Sequence, residues 1–146
     1  MHPFTLAFLL AISLATGVKL WLAFRHVRHV IAHREHVPGE FEGRITLAAH
    51  QTAADYTVAK TRVSMIETAS GALLVLALTL GGGLQAISVA LSRWFDFGGY
   101  AHGIALIVLV MLVSAVIDLP FSIYRTFVIE ERFNFNRMTP SLFVAD

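Results

Sequence analysis

The fold of this chain is decided by an apolar stretch in its last third, GIALIVLVMLVSAVIDLPFSIYRTFVI, residues 103–129. Its only charged side chains are Asp118 and Arg125. About 20 predominantly apolar residues in an α-helix are enough to cross the hydrocarbon core of a bilayer. The stretch therefore predicts a transmembrane helix, and Pro120 predicts a kink within it.

Two further apolar blocks precede this one, at residues 3–24 and 69–91. The first block holds a single charged side chain, Lys19, about one turn from its end, where a lysine can reach the membrane interface. A cleaved signal peptide is the alternative, but no Lys or Arg precedes this block and the apolar run continues through Leu22. The second block has no charge, and its three glycines at 81–83 allow either close helix packing or a local break.

The composition supports a membrane protein and excludes several other classes. Hydrophobic residues make up 56% of the chain and charged residues 14%, against roughly 25% charged residues in soluble domains. The net charge of +1 gives no basic surface for nucleic acid. The absence of cysteine excludes a disulfide framework, a Cys-type zinc site and a thiol nucleophile. We predict one all-α integral membrane domain over residues 1–146, with spans at about 3–24, 69–91 and 103–129.

The segment between the first two blocks predicts a helical loop outside the membrane. Residues 25–36 continue the first helix into water until Pro38 ends it. Residues 44–68 have weaker helical periodicity and both signs of charge, which predicts an interfacial or cytosolic amphipathic helix that leads into the second span. Because six of the eleven Lys and Arg residues lie in 25–68, we expect this loop to be cytosolic.

Orientation and compartment follow from this asymmetry. The N-terminus is expected outside and the C-terminus in the cytoplasm. The expected location is the bacterial inner membrane, or the endoplasmic reticulum membrane if the source is eukaryotic.

Four histidines in this loop are spaced by three, four and three residues, which places them along one helical face. They could share a metal ion, or they could form a polar face close to the membrane. Arg28 and Arg34 add positive charge to the same helix, which disfavours a metal. The histidines are His26, His29, His33 and His36.

No catalytic motif is present. The chain has no H-E-x-x-H, no G-x-S-x-G and no G-x-x-x-x-G-K-[ST], so we assign no catalytic residue and no metal ligand. Ionisable residues within a membrane are functional candidates by default, although a structural role is equally open. The polar candidates in or after the third span are Asp118, Arg125, Glu130, Glu131 and Asn136.

Asp118 is expected to face the protein interior or an aqueous chamber, because a lipid-facing Asp near the bilayer centre costs about 2.5–3.5 kcal/mol. Arg125 follows seven residues later on nearly the same helical face. It lies about 10 Å further along the axis, so direct pairing within one straight helix is not expected. These side chains would need a polar group on another helix or a bridging water as a hydrogen-bond partner, or a kink at Pro120 that brings the two together.

The segment LPFSIYRTFVIEERFNFNRMT, residues 119–139, resembles a pattern of the CAAX prenyl protease 1 family, LPxxxYxTFxIEExxGFNxxT. Asn134 stands where the family usually has Gly. Upstream, HVPGEF at 36–41 and HQTAADYTVAKTR at 50–62 resemble the first cytosolic loop of the family, most of all in its bacterial members. The matching positions are Leu119, Pro120, Tyr124, Thr126, Phe127, Ile129, Glu130, Glu131, Phe135, Asn136 and Thr139.

The resemblance implies a membrane-embedded zinc metalloprotease as the complete protein. Complete members continue into an H-E-x-x-H helix and a later Glu that bind zinc, which activates water for peptide cleavage. This chain contains none of those residues and needs no cofactor itself, so it corresponds to the non-catalytic N-terminal membrane part, as a fragment or truncated product. Its implied partners are the missing C-terminal catalytic half and, in the complete enzyme, a peptide or prenylated peptide.

Two other functions remain open from the sequence. The first is a non-enzymatic scaffold or adaptor that keeps the family fold. The second is a transporter or channel subunit, which the small number of polar residues in the spans disfavours.

Overall fold

The structure is a computed structural model that describes residues 2–135, 138 and 142. Asn136 and Thr139 of the sequence pattern lie outside the described residues. The described part contains helices and turns but no strand, which confirms the all-α prediction. The elements are α1 (Pro3–Ala32), a 3₁₀ turn (Gly39–Phe41), α2 (Leu47–Thr79), α3 (Gly83–Leu91), α4 (Tyr100–Tyr124) and a π-helix (Arg125–Glu130).

Three helices in the described part are long and apolar enough to cross a membrane: Pro3–Ala32, Leu47–Thr79 and Tyr100–Glu130. The number of spans agrees with the sequence prediction. None of the residues in their most apolar windows is buried inside the chain. These faces are therefore available to lipid or to further protein.

α1 begins and ends at recognisable capping groups. The His2 side chain accepts a hydrogen bond from the Phe4 N–H at 3.2 Å, and Pro3 occupies the first helical position. The helix ends at Ala32, and His33 forms its C-cap. The sequence had predicted a helix that continues to residue 36. The segment that was expected to be helical after Ala32 is a turn.

α2 differs most from the prediction. The predicted interfacial or cytosolic helix at 44–68 and the first part of the predicted second span form one continuous helix, Leu47–Thr79. Its 33 residues are about 50 Å long, so it extends well beyond the hydrocarbon core. The block 69–91 is not one helix, because α2 stops before the three glycines and α3 starts at the third.

The glycines break the helix for local steric reasons. Gly82 has a φ of +77°, a left-handed conformation that glycine adopts without steric cost. A Cβ on Gly81 would lie 2.6 Å from the Ala77 carbonyl oxygen. Of the two roles that the sequence allows for these glycines, the structure shows the local break.

The last helix changes its winding after Pro120. The proline has no N–H to donate to the preceding turn, yet α4 remains helical to Tyr124 and then passes into the π-helix Arg125–Glu130. A π-helix holds extra residues in each turn and so rotates the side chains that follow. Ile129 of this segment is only 4% exposed.

Packing between the helices is limited. α1 lies along α2, α3 lies along α4, and the π-helix contacts α2. The accessible surface is 10701 Å², whereas a compact monomer of this mass would expose about 7,400 Å². The buried apolar side chains of the described part are Val27, Ala54, Val63, Leu91 and Ile129.

Candidate functional site

An ion pair joins α2 to the π-helix. Arg125 Nη2 donates to Glu67 Oε2 at 2.5 Å, and each side chain is 32% exposed. Arg125 Nε is buried and has no hydrogen-bond partner among the described residues. The candidate Arg125 therefore pairs with a polar group on another helix, which is one of the three alternatives that the sequence left open.

Glu67 is a residue that the sequence analysis missed. It is the only charged residue between Arg62 and Arg93. A single acid within a long uncharged segment is a signal for a buried partner, because an unpaired carboxylate in the membrane is costly. The position of that partner on the π-helix could not be read from the sequence.

A cleft of about 570 Å³ opens between α2 and the end of α4. Its walls are mainly apolar, and the guanidinium-bearing residues Arg62 and Arg132 are part of its lining. Pro120, Tyr124 and Ile129 of the sequence pattern also line it. The remaining lining residues are Ala59, Val63, Ile66, Phe121, Val128 and Phe133.

A second cavity of about 490 Å³ adjoins the cleft and holds another ion pair. Arg34 Nε and Nη2 donate to the two carboxylate oxygens of Asp55, each at 2.8 Å, which is the bidentate geometry of a strong pair. Arg34 Nη1 also donates to Glu35 at 2.9 Å. These carboxylates raise the pKa of the Arg34 guanidinium above its ordinary value. The bidentate pair attaches the residue after α1 to α2.

Aromatic contacts attach the segment after the π-helix to α2. The Tyr56 ring lies 5.6 Å from the Phe133 ring and 5.0 Å from the Phe135 ring, measured between centroids. Such edge and tilted contacts are favourable for aromatic pairs. Tyr56 belongs to the 50–62 segment and Phe135 to the 119–139 segment, so the two segments of the resemblance are in contact.

Asn134 explains the one departure from the sequence pattern. Its φ is +58°, in the left-handed region. Glycine enters this region freely, and Asn is among the few other residues enriched there. The turn therefore keeps the conformation that glycine would allow.

The other polar candidates do not join one site. Asp118 is exposed and forms no hydrogen bond or ion pair with the described residues. The backbone carbonyls of Glu130 and Glu131 accept hydrogen bonds from the N–H groups of Phe135 and Asn134, which shapes the turn rather than a reactive centre. Asn136 lies outside the described residues.

The histidine series is split by the end of α1. His26 and His29 lie on the helix, His33 is its cap and His36 follows it. The rings of His29 and His33 are 4.1 Å apart, and all four side chains are exposed. In the part of the chain that the structure describes, no three His, Cys, Asp or Glu residues converge on a position for a metal ion.

These features define a helical membrane domain that crosses the bilayer several times and has a polar-rimmed cleft at one end of its spans. Residues 26–146 match the family described as "CAAX prenyl protease N-terminal, five membrane helices". The chain belongs to this family and represents its N-terminal membrane domain.

Relatives of this chain carry the same family name. The "CAAX prenyl protease 1 homolog" of human is 27% identical over 141 residues, which cover 88% of this chain and 29% of the relative. The homologue of Caenorhabditis elegans is 25% identical over 130 residues, with 87% and 28% covered. The homologue of Oryza sativa subsp. japonica is 49% identical over 45 residues, with 31% and 11% covered.

The chain thus spans less than a third of the length of the relatives that it matches. The expectation of a particular likeness to bacterial members is not borne out, because these relatives are eukaryotic. No solved structure matches the chain.

Proposed function

We propose that this domain is the non-catalytic N-terminal part of a CAAX prenyl protease-type zinc metalloendopeptidase and encloses one side of a membrane chamber for proteolysis. One observation carries the proposal. Pro120, Tyr124 and Ile129, three residues of the family pattern, line the cleft between α2 and α4. The pattern therefore shapes a cavity wall without supplying a reactive group.

The domain would act by shaping and positioning. The Glu67–Arg125 pair fixes the π-helix against α2, and the Arg34–Asp55 pair fixes the end of α1. The described residues do not provide a zinc site. In the complete enzyme, zinc would polarise the scissile carbonyl and activate water, with its ligands outside this domain.

The proposed partners are the lipid bilayer, the catalytic half of the family fold, and a peptide or prenylated peptide in the complete enzyme. We place the N-terminus outside and the C-terminus in the cytoplasm, because Lys and Arg are concentrated in the loop between α1 and the apolar half of α2. The membrane would be the bacterial inner membrane, or that of the endoplasmic reticulum in a eukaryotic source.

The test begins with the product of the gene in its own cell. A tag at the N-terminus allows purification and mass spectrometry of that product, followed by assay on a prenylated CAAX peptide with and without a zinc chelator. We expect a product that continues into H-E-x-x-H and cleaves the peptide only without chelator. The chain of residues 1–146, purified as the control, should bind no stoichiometric zinc and cleave no peptide.

The alternative is a non-enzymatic membrane scaffold that keeps the family fold. A folded natural product without H-E-x-x-H and without peptidase activity would support the scaffold and contradict our proposal. Chelator-sensitive cleavage by residues 1–146 alone would contradict both.

A further inference from the structure

The cleft between α2 and the end of α4 has two chemically different parts. One part of its lining is apolar and includes the buried Val63 and the exposed side chains of Ile66 and Val128. At the other end it joins the cavity that holds Arg34, and Arg62 and Arg132 line both spaces. A ligand that matches the whole cleft must therefore combine an apolar chain with an anionic group.

The charges at this end are unbalanced. The linings contain three arginines and one acid, Asp55. Glu35, which pairs with Arg34 at 2.9 Å, is a second acid at this end, so the net charge is +1. Arg34 uses Asp55 in a bidentate pair. Arg62 and Arg132 form no ion pair with described residues, and Arg132 lies over the Phe133 ring at 5.8 Å.

The arginines of the cleft also occupy positions in their helices at which a lipid headgroup is expected. Arg62 is the last basic residue of α2 before its apolar half, and Arg132 follows the last apolar turn of the third span. Both arginines thus lie where their helices leave the hydrocarbon core. Basic cavities between transmembrane helices at such an interface are typical of anionic lipid recognition.

We propose that this cleft binds one anionic glycerophospholipid from the bilayer, with its phosphate between Arg62 and Arg132 and an acyl chain along Val63, Ile66 and Val128. The volume of about 570 Å³ is within the usual range for small-molecule sites. Tyr124, whose ring is amphipathic, lines the cleft beside the acyl path. The inference rests on the proposed function: the lipid would be a structural ligand between α2 and α4 and would form part of the chamber wall.

The experiment uses the purified chain in detergent, with native mass spectrometry to count retained lipid. The probes are phosphatidylglycerol and phosphatidylcholine with identical acyl chains, and the water-soluble headgroup glycerophosphoglycerol as competitor. We expect one retained phosphatidylglycerol, at least tenfold preferred over phosphatidylcholine and not displaced by the soluble headgroup. Equal retention of both lipids, or displacement by the soluble headgroup, would overturn the proposal.

Matched variants separate this site from general attraction to basic residues. Arg62→Gln combined with Arg132→Gln should reduce phosphatidylglycerol retention at least tenfold. Arg25→Gln combined with Arg28→Gln removes the same charge from exposed residues of α1 that do not line the cleft, and retention should change less than twofold. Equal losses in the two double variants would contradict a specific site.

Two further variants test the geometry. Lysine at positions 62 and 132 keeps the charge, so R62K/R132K should retain the lipid within a few fold. Val128→Trp fills the cleft without changing charge and should exclude the lipid, while circular dichroism confirms unchanged helicity. Retention of a prenylated peptide in preference to phosphatidylglycerol would show a different occupant and would refute the proposal.

Discussion

The two ends of the membrane helices are stabilised in different ways. At the end where α2 meets the π-helix, side-chain pairs connect the elements: Arg34 with Asp55, and Glu67 with Arg125. At the opposite end, between α2 and α4, backbone conformation sets the path through positive φ values at Gly82 and Gly98. The difference shows that one end depends on electrostatics and the other on turns that require glycine.

The glycine end has one polar contact of note. His102 is only 5% exposed. Its Nε2 atom lies 3.0 Å from the Ser88 carbonyl oxygen, and this contact joins α4 to α3. Its ring is 5.3 Å from that of Phe97. Around it, Trp94 and Tyr100 are exposed as expected for an aromatic belt at a membrane interface.

The largest expected effect concerns the side of the membrane on which each end lies. The natural chain has no cysteine, so a single introduced thiol is unique. With the chain in the inner membrane of intact bacterial cells, an impermeant maleimide should label Tyr100→Cys and leave Ala32→Cys unlabelled, because we expect the basic loop to be cytoplasmic. Tyr100 is 96% exposed, whereas a cysteine at Gly98 would be strained by its φ of +79°.

Permeabilised cells provide the control for this experiment, since both cysteines should then react. Labelling of Ala32→Cys with protection of Tyr100→Cys in intact cells would reverse the orientation. Labelling of both would mean that the two ends do not lie on opposite sides.

The next largest effect tests the electrostatic end. We expect Glu67→Leu to lower the free energy of unfolding by about 2 kcal/mol, because it leaves Arg125 unpaired. The value is below that for fully buried pairs, since a third of each side chain is exposed. Unfolding in a denaturing detergent, followed by circular dichroism, measures the change.

A double-mutant cycle separates the ion pair from the packing of its two side chains. Arg125→Leu should cost a similar amount, while the double variant should cost less than the sum of the two. Additive losses would show that Glu67 and Arg125 do not interact.

At the end of the helices that contains Gly81 and Gly82, we expect one added methyl group to lower stability. Gly81→Ala should lower the free energy of unfolding by about 1–2 kcal/mol, because its Cβ would lie 2.6 Å from the Ala77 carbonyl oxygen. Gly71→Ala is the matched control, since nothing lies within 4 Å of its Cβ and α2 is helical there. That control should be neutral or stabilising by up to about 1 kcal/mol. Equal effects of the two substitutions would indicate that the break at 81–83 is not set by this contact.

The sequence predicted the helical class and the number of spans because an apolar block of about 20 residues is long enough to cross a membrane as a helix and is rarely compatible with another structure. It predicted that the helix over 44–68 would lead into the second span, but not that the two would form one continuous helix that ends at Thr79. Periodicity over 44–68 is weak, and no breaker separates that segment from residue 69. The break occurs later, at Gly81 and Gly82, where a sequence alone permits either packing or a turn.

The site was less predictable than the fold. Arg125 stood out as a basic residue near the end of an apolar span, but its partner Glu67 is 58 positions away. Such pairs depend on which helices pack together and on the rotation of each face. The π-helix determines that rotation, and no pattern in the sequence distinguishes it from a continued α-helix.

The smallest effect on stability is expected at Asp118, which has no hydrogen bond or ion pair with described residues. Asp118→Asn should change the free energy of unfolding by less than about 0.5 kcal/mol, as is usual for a substitution at an exposed residue that makes no specific interaction. This small value is compatible with water around the carboxylate and with the proposed chamber. It does not by itself distinguish water from lipid.

Cysteine reactivity in the membrane makes that distinction. A thiol reacts with water-soluble methanethiosulfonate reagents as the thiolate, which forms in water and is suppressed in an apolar medium. Asp118→Cys should therefore react at least tenfold faster than Val116→Cys, a 67% exposed position on the same helix whose apolar side chain suits lipid. Because Val116 and Asp118 are two residues apart, they lie at nearly the same depth and on different faces. Equal rates would mean that Asp118 has no privileged access to water, and a slower rate at Asp118 would place it against lipid, where its charge would cost about 2.5–3.5 kcal/mol.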